Sequence, residues 1–334
     1  MENRPFGRTG RNVSVVGLGT WQLGADWGEV SEDAAIAVLA AAVADGVTLL
    51  DTADVYGDGR SESLIGSFLA ERPEVRGDVL VATKMGRRAA QVPESYVAPA
   101  FRQWVDRSRA NLRVDTLDLV QLHCPPSEVI ASDAVYDALD ALVADGSIAA
   151  YGVSVETCEQ ALAAIARPGV ASVQIILNPF RLKPVELVLP AARAAGVGIL
   201  ARVPLASGLL SGRYTPATTF GADDHRTFNR RGEAFDRGET FSGVEYETGL
   251  RCASELAAVL PDGIGLAAAS LAWIVSRPGV TSVIPGARTP GQVRSNAAAA
   301  ALLEPGSGFD VDAFDAVVRR VYDEHLRASI HPRW

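Results

Sequence analysis

The chain is nearly free of lysine: of its 31 basic residues only Lys84 and Lys183 are lysines, and the rest are arginines. It also lacks any basic block, and its formal charge of −9 argues against a nucleic-acid or anionic-membrane partner, although a local cationic pocket for a phosphate stays open. No apolar run approaches the roughly twenty residues of a membrane span; the longest, Ile264 to Val275, reads as a buried helix. Met1 to Gly10 has no apolar centre of the kind a signal peptide needs, so the expected location is cytoplasmic. Cysteine is scarce too. Cys124, Cys158 and Cys252 are odd in number and widely spaced, which argues against a disulfide framework and a zinc site. His225, His325 and His331 stand without paired ligand spacing, so no metal is expected. Gly17, Gly19 and Gly24 miss the spacing of a dinucleotide fingerprint.

What is present in quantity is apolar: 48% of residues, enough for a sizeable core and too many for disorder. At 334 residues the chain suits one large domain or two small ones, and α/β barrels commonly run this long as one. Eight short strand-like runs can be read: Val13 to Leu18, Val47 to Leu50, Val79 to Lys84, Leu117 to His123, Ile148 to Ser154, Ser172 to Leu177, Gly198 to Val203 and Val280 to Pro285. Helical patterns lie between them, among them Ser31 to Ala44, Ser61 to Ala70 and Pro184 to Ala195. Eight βα repeats without a composition break favour an α/β fold with residues 1–334 as one (β/α)8 TIM barrel, over an open doubly wound sheet. Three additions are expected: an N-terminal hairpin around Arg4 to Asn12, a long polar loop from Arg213 to Gly243 after the seventh strand, and a C-terminal helix over Val311 to Leu326.

The rare Lys84 ends the third run. A lysine inside a strand of an arginine-rich chain suggests a tunable cation, because guanidinium stays protonated whereas an ammonium responds to burial and neighbours. A buried cation needs a carboxylate, and Asp51 at the end of the second run is the nearest candidate. That pair alone is equally consistent with a structural ion bridge. In a barrel, however, the active face is built from strand C-termini, and there Asp51, Lys84 and His123 converge with Tyr56. The set suits hydride transfer to a carbonyl: charge grows on oxygen, and a phenol, weak as an acid with a pKa of about 10, donates there if a cation steadies its phenolate. Trp21 and Trp27, in the loop after the first strand, either line the substrate pocket with Tyr56 and His123 or pack the rim.

Leu49-Leu50-Asp51-Thr52-Ala53-Asp54-Val55-Tyr56-Gly57 with Ser61-Glu62, Val81-Ala82-Thr83-Lys84 and Asp118 to His123 resemble the signatures of the aldo-keto reductase family, in order and spacing from about Gly7 to Ala300. The resemblance implies Tyr56 as general acid/base, with Asp51, Lys84 and His123 completing a catalytic tetrad, and NADPH as cofactor for reducing a small carbonyl compound. It also implies cofactor contacts from Thr20, Trp21, Asp51, Ser154 and Gln174, with Asn178 close by. After the seventh strand, the family's phosphate-binding turn corresponds to Pro204, Leu205, Ser207, Gly208 and Leu210. Gly286 follows the eighth strand, and there the family's holder of the adenosine 2′-phosphate matches Arg288, Gln292 and Asn296 at a helix start with Thr289 as cap and Pro290 first. Two departures stand out. Val155 replaces the Asn usual after the serine, and Arg202 or Val203 stands where an aromatic side chain often stacks on nicotinamide. A nucleotide-sensing regulatory subunit, of the kind that accompanies potassium channels, is the rival reading; homo-oligomerisation is left open.

Overall fold

Strand propensity and strand pairing agree on a closed sheet. The computed structural model describes residues 1–24 and 30–334. Within them run β1 (Asn3–Pro5), β2 (Asn12–Ser14), β3 (Leu18–Gly19), β4 (Leu49–Asp51), β5 (Leu80–Met85), β6 (Leu119–His123), β7 (Tyr151–Ser154), β8 (Val170–Ile176), β9 (Gly198–Arg202) and β10 (Ser282–Val283). β3 to β10 lie side by side in chain order, every neighbouring pair parallel. Parallel bridges Val16–Val283 and Gly19–Gly286 join first to last and close the (β/α)8 barrel. Among the described residues no helix is long and apolar enough to cross a membrane.

The run Val13 to Leu18, expected as one strand, is divided. Asn12–Ser14 pairs antiparallel with Asn3–Pro5 to make the hairpin, and only Leu18–Gly19 enters the barrel. Ser14 causes the break: its amide donates to Thr48 Oγ1 (2.8 Å) and its hydroxyl accepts from the Thr48 amide (3.0 Å), so side chains replace the ladder there.

The helices carry the caps that their sequences encode. Ser31 accepts from the Ala34 amide ahead of Glu32–Ala44, Thr157 and Gln160 form a capping box on Cys158–Ile165, and Gly196 ends Lys183–Ala195 in the left-handed conformation. The long segment 213–243 is not structureless. Asp224 caps a single helical turn, His225–Phe228, and the buried Asn229 ties down the residues after it, accepting from the Ala234 and Phe235 amides (both 2.9 Å). A further helix, Tyr246–Ala257, precedes Leu266–Val275. The C-terminal helix, expected over Val311 to Leu326, is α-helical over Val311–Val321 and widens to a π-turn at Tyr322–Leu326.

Two cores hold the layers. The larger lies between sheet and helices, and the smaller fills the barrel with Leu49, Leu80, Ala82, Leu119, Ala171, Leu200 and Ile284, plugged by hairpin residues Phe6 and Val13. Alternation along each strand decides which polar side chains join that interior. Leu49 points inward, so Asp51 does; Leu80 and Ala82 point inward, so Lys84 does; and Leu119 brings Gln121 and His123 with it. The apolar half of the interior thus ends in a polar half at the strand C-termini.

Candidate active site

Asp51, Lys84, Tyr56 and His123 meet where that inner polar layer opens. Lys84 Nζ donates to Asp51 Oδ1 (2.6 Å), the Thr52 carbonyl (2.8 Å) and Tyr56 Oη (3.3 Å). Asp51 is gripped from the far side by Gln174 Nε2 (2.7 Å), with Gln121 Nε2 at 3.5 Å. Tyr56 does not sit on a strand. It opens a tight turn whose Gly57 (φ 58°) lies so close to Gly24 that a Cβ would fall 2.1 Å from the Gly24 carbonyl oxygen, so only glycine fits. The turn lays the phenol edge-on to His123, ring centres 6.0 Å apart, and stacked on Trp21 at 5.9 Å.

Burial first, then the charges of Arg87, Lys84 and Arg202, drive the His123 imidazole well below its ordinary value, so the ring is neutral at pH 7. Its Nδ1 has no partner among the described residues. Burial opposes the Lys84 charge, yet Asp51 and Tyr56 outweigh it and hold the ammonium above its ordinary value. For Tyr56 burial is again the largest influence and raises the phenol's pKa; Lys84 pulls it back without overcoming burial and the charges of Asp51 and Glu239. Lys84 therefore offsets the cost of a buried phenolate without bringing the phenol below its ordinary value.

One cleft of about 1440 Å³ runs from Tyr56 and His123 to Arg288, Gln292 and Asn296, larger than a usual small-ligand pocket of roughly 300 to 1,000 Å³. Thr20, Trp21, Asp51, Ser154, Gln174, Arg202, Pro204, Leu205, Ser207, Gly208 and Gly286 all line it. Leu210 departs from expectation: its side chain is fully buried in the core, its amide donates to the Leu205 carbonyl, and Ser211 takes the wall position. The Gln174 amide nitrogen is committed to Asp51, which leaves its carbonyl to accept from a ligand. Asn178 is structural, tied to Val203 and Ser242. At the other end Thr289 caps the helix Pro290–Ala298, and Gln292 Oε1 accepts from the Arg288 amide (2.7 Å). These residues fit a dinucleotide: the His123 ring and the Gln174 side chain line one end of a continuous cleft, and a guanidinium beside a helix N-terminus lies at the other. Trp27 lies outside the described residues.

Arg87 and Glu239 also line the wall and were not among the residues expected from the sequence; both gather around Arg202 and its partner Glu156. Arg202 is buried and ion-paired to Glu156 (3.0 Å) and Glu239 (2.8 Å), and Arg87 bonds Glu156 (3.1 Å). Gln121 shares β6 and its inward parity with His123 and could have been found by alternation, whereas Arg87 lies beyond the end of β5, out of step with Lys84, and Glu239 arrives from the long segment. Cys124, Glu156 and Glu239 bring ligand atoms within 4.8 Å of one another, but the arginines already engage both carboxylates. Burial pushes the Cys124 thiol up to about 12, which removes it as a nucleophile.

Residues 15–317 match the model of the Aldo/keto reductase family. The chain belongs to the aldo/keto reductase family. Aldo-keto reductase YhdN of Bacillus subtilis is 30% identical over 300 residues, covering 88% of this chain and 87% of that protein. The glycerol dehydrogenase AKR11B4 of Gluconobacter oxydans superposes with a TM-score of 0.74 at 31% identity, over 94% of this chain and 93% of that one. An aldo-keto reductase of Klebsiella pneumoniae, solved in complex with NADPH, has a TM-score of 0.68 at 24% identity, covering 96% of each. As a member of the family, this aldo-keto reductase is an oxidoreductase of carbonyl compounds that uses a nicotinamide cofactor.

Proposed function

We propose that the enzyme reduces a small aldehyde or ketone to its alcohol with NADPH, and that Tyr56 is the proton donor. The observation that carries this is the Lys84 ammonium held between Asp51 (2.6 Å) and Tyr56 (3.3 Å) beneath the cleft. Bound reduced nicotinamide would supply the hydride. Tyr56 gives its proton to the carbonyl oxygen as negative charge develops there, and Lys84 stabilises the phenolate left behind. The neutral His123 imidazole donates a second hydrogen bond to the same oxygen. Asp51, oriented by Gln174, keeps Lys84 charged and in place. Arg288, with Gln292 and Asn296, would hold a 2′-phosphate at the far end of the cleft, and Trp21 would line the substrate side. The reading takes residues 1–334 as one barrel domain.

Loss of reduced-cofactor absorbance across a panel of aldehydes and ketones tests the reading, with Tyr56→Phe as the control. The variant should bind NADPH normally and turn over slower by roughly 10² to 10⁴. Wild-type binding of NADPH without turnover on any carbonyl would favour a nucleotide sensor instead, and normal turnover by the variant would remove Tyr56 from the mechanism.

A further inference from the structure

Arg202, beside His123, is gripped by two carboxylates that reach it from different places. Glu156 follows β7, whereas Glu239 belongs to the segment 213–243 and reaches the wall only if that segment is held in register. One stacked pair touches the supports of both. The buried indole of Trp334 lies under the Arg181 guanidinium, 4.3 Å from ring centre to its carbon. Arg181 Nη2 donates to the Glu156 carbonyl (2.6 Å), and Trp334 Nε1 donates to Asp236 Oδ1 (3.0 Å). Asp236 begins the turn that ends at Glu239: its carboxylate accepts from the Gly238 amide (2.6 Å) and its carbonyl from the Glu239 amide (3.1 Å). The fit is close. A Cβ on Gly243 would fall 2.3 Å from the indole, and one on Gly238 2.4 Å from Arg181 Nη1.

We propose that Trp334 is a positioning residue for carbonyl reduction: through Asp236 it sets where Glu239 meets Arg202, and so the shape of the substrate end of the cleft. This rests on the reductase reading above. Trp334 touches neither Tyr56 nor Lys84 in any hydrogen bond or ring contact among the described residues, so its loss acts on binding and spares the proton transfer.

The test is steady-state kinetics of the full chain with the best carbonyl of the panel, for Trp334→Ala, Trp334→Phe, Glu239→Gln and the Trp334→Ala/Glu239→Gln double variant. Trp334→Ala should raise KM for the carbonyl about tenfold with kcat within about threefold, the pattern of lost uniform binding. Glu239→Gln should raise KM likewise, and the double variant should raise it no further than either single, because both act through one contact. Trp334→Phe keeps the ring against Arg181 and Gly243 but loses the N–H, and should fall between wild type and Trp334→Ala. If Trp334→Ala does not fold, Trp334→Phe combined with Glu239→Gln reads the same non-additivity. Trypsin provides a readout apart from turnover: cleavage at Arg226, Arg230, Arg231 and Arg237 should quicken in Trp334→Phe at unchanged Tm. Additive effects, a loss confined to kcat, or wild-type KM and cleavage in Trp334→Ala would overturn the proposal. Failure of the wild type to reduce any carbonyl would instead sink the reductase reading and take this role with it.

Discussion

The ammonium of Lys84 stands 3.3 Å from the phenolic oxygen of Tyr56, on a nitrogen whose other two short contacts are the Asp51 carboxylate at 2.6 Å and the Thr52 carbonyl at 2.8 Å. Three protons meet three acceptors, so the cation is saturated and its orientation towards Tyr56 is fixed. The charge that offsets the cost of a buried phenolate is thereby delivered to one atom.

Replacing Lys84 by Arg keeps the charge but not this geometry, because a planar guanidinium cannot present its donors to three converging acceptors around a compact centre. Burial already raises the Tyr56 phenol, with Lys84 opposing it. In Lys84→Arg the phenol should rise further, and alcohol oxidation, where Tyr56 must accept a proton, should show its basic limb displaced upward with a rate lower by roughly 10² to 10⁴. A pH profile of that reaction superimposable on the wild type would make the lysine merely structural.

Gly57 combines a φ of 58° with a Cβ position 2.1 Å from the Gly24 carbonyl oxygen. Gly57→Ala must both hold a left-handed conformation, at about 1 kcal/mol or more, and push the two turns apart, carrying Tyr56 away from Lys84. We expect kcat to fall at least about tenfold while most of the fold survives, since the strain lies in one turn outside the barrel ladder. Circular dichroism beside kinetics checks this; unchanged kcat would mean that the turn does not set the phenol's position.

Asp54 is buried, and neither of its carboxylate oxygens has a partner among the described residues. Burial, then the charge of Glu62, raises its pKa to about 7. A folded pKa above the unfolded one means that the native state holds the proton more tightly. The stabilisation is therefore complete below about pH 4 and is lost as pH rises to about 7. The shift corresponds to a few kcal/mol at most, on the order of 1.4 kcal/mol per unit. Urea denaturation of the wild type from pH 5 to 8 should show this decline, and Asp54→Asn should flatten it. Parallel slopes for the two proteins would contradict the assignment.

Arg288 stands beside the capped start of the helix Pro290–Ala298 in a chain of net charge −9. A charge-assisted hydrogen bond to the 2′-phosphate is worth about 1.5 to 3 kcal/mol, or roughly ten- to a hundredfold in affinity. Arg288→Ala should weaken NADPH by that factor and leave NADH nearly untouched, and added salt should erode the wild-type preference for NADPH. Fluorescence titration with both reduced cofactors decides it, equal losses meaning that Arg288 does not read the phosphate.

The barrel and the meeting of Asp51, Tyr56, Lys84 and His123 at its rim were legible in the sequence because both are written in short-range pattern. Strand alternation is local, so Ala82 predicts the direction of Lys84 and Leu119 that of His123, and eight repeats of strand and helix leave few ways to bury their apolar faces other than closing the sheet. Even there, local pattern erred where side chains displaced the ladder: the Ser14–Thr48 exchange divided the run Val13 to Leu18 between hairpin and barrel. Tertiary structure alone decided the rest. Gln174 reaches Asp51 across 123 residues of chain and Trp334 reaches Asp236 across 98. No periodicity connects such positions. Their meeting depends on closure of the barrel and on the path of segment 213–243 over its rim, a path set by packing between side chains that are distant in sequence.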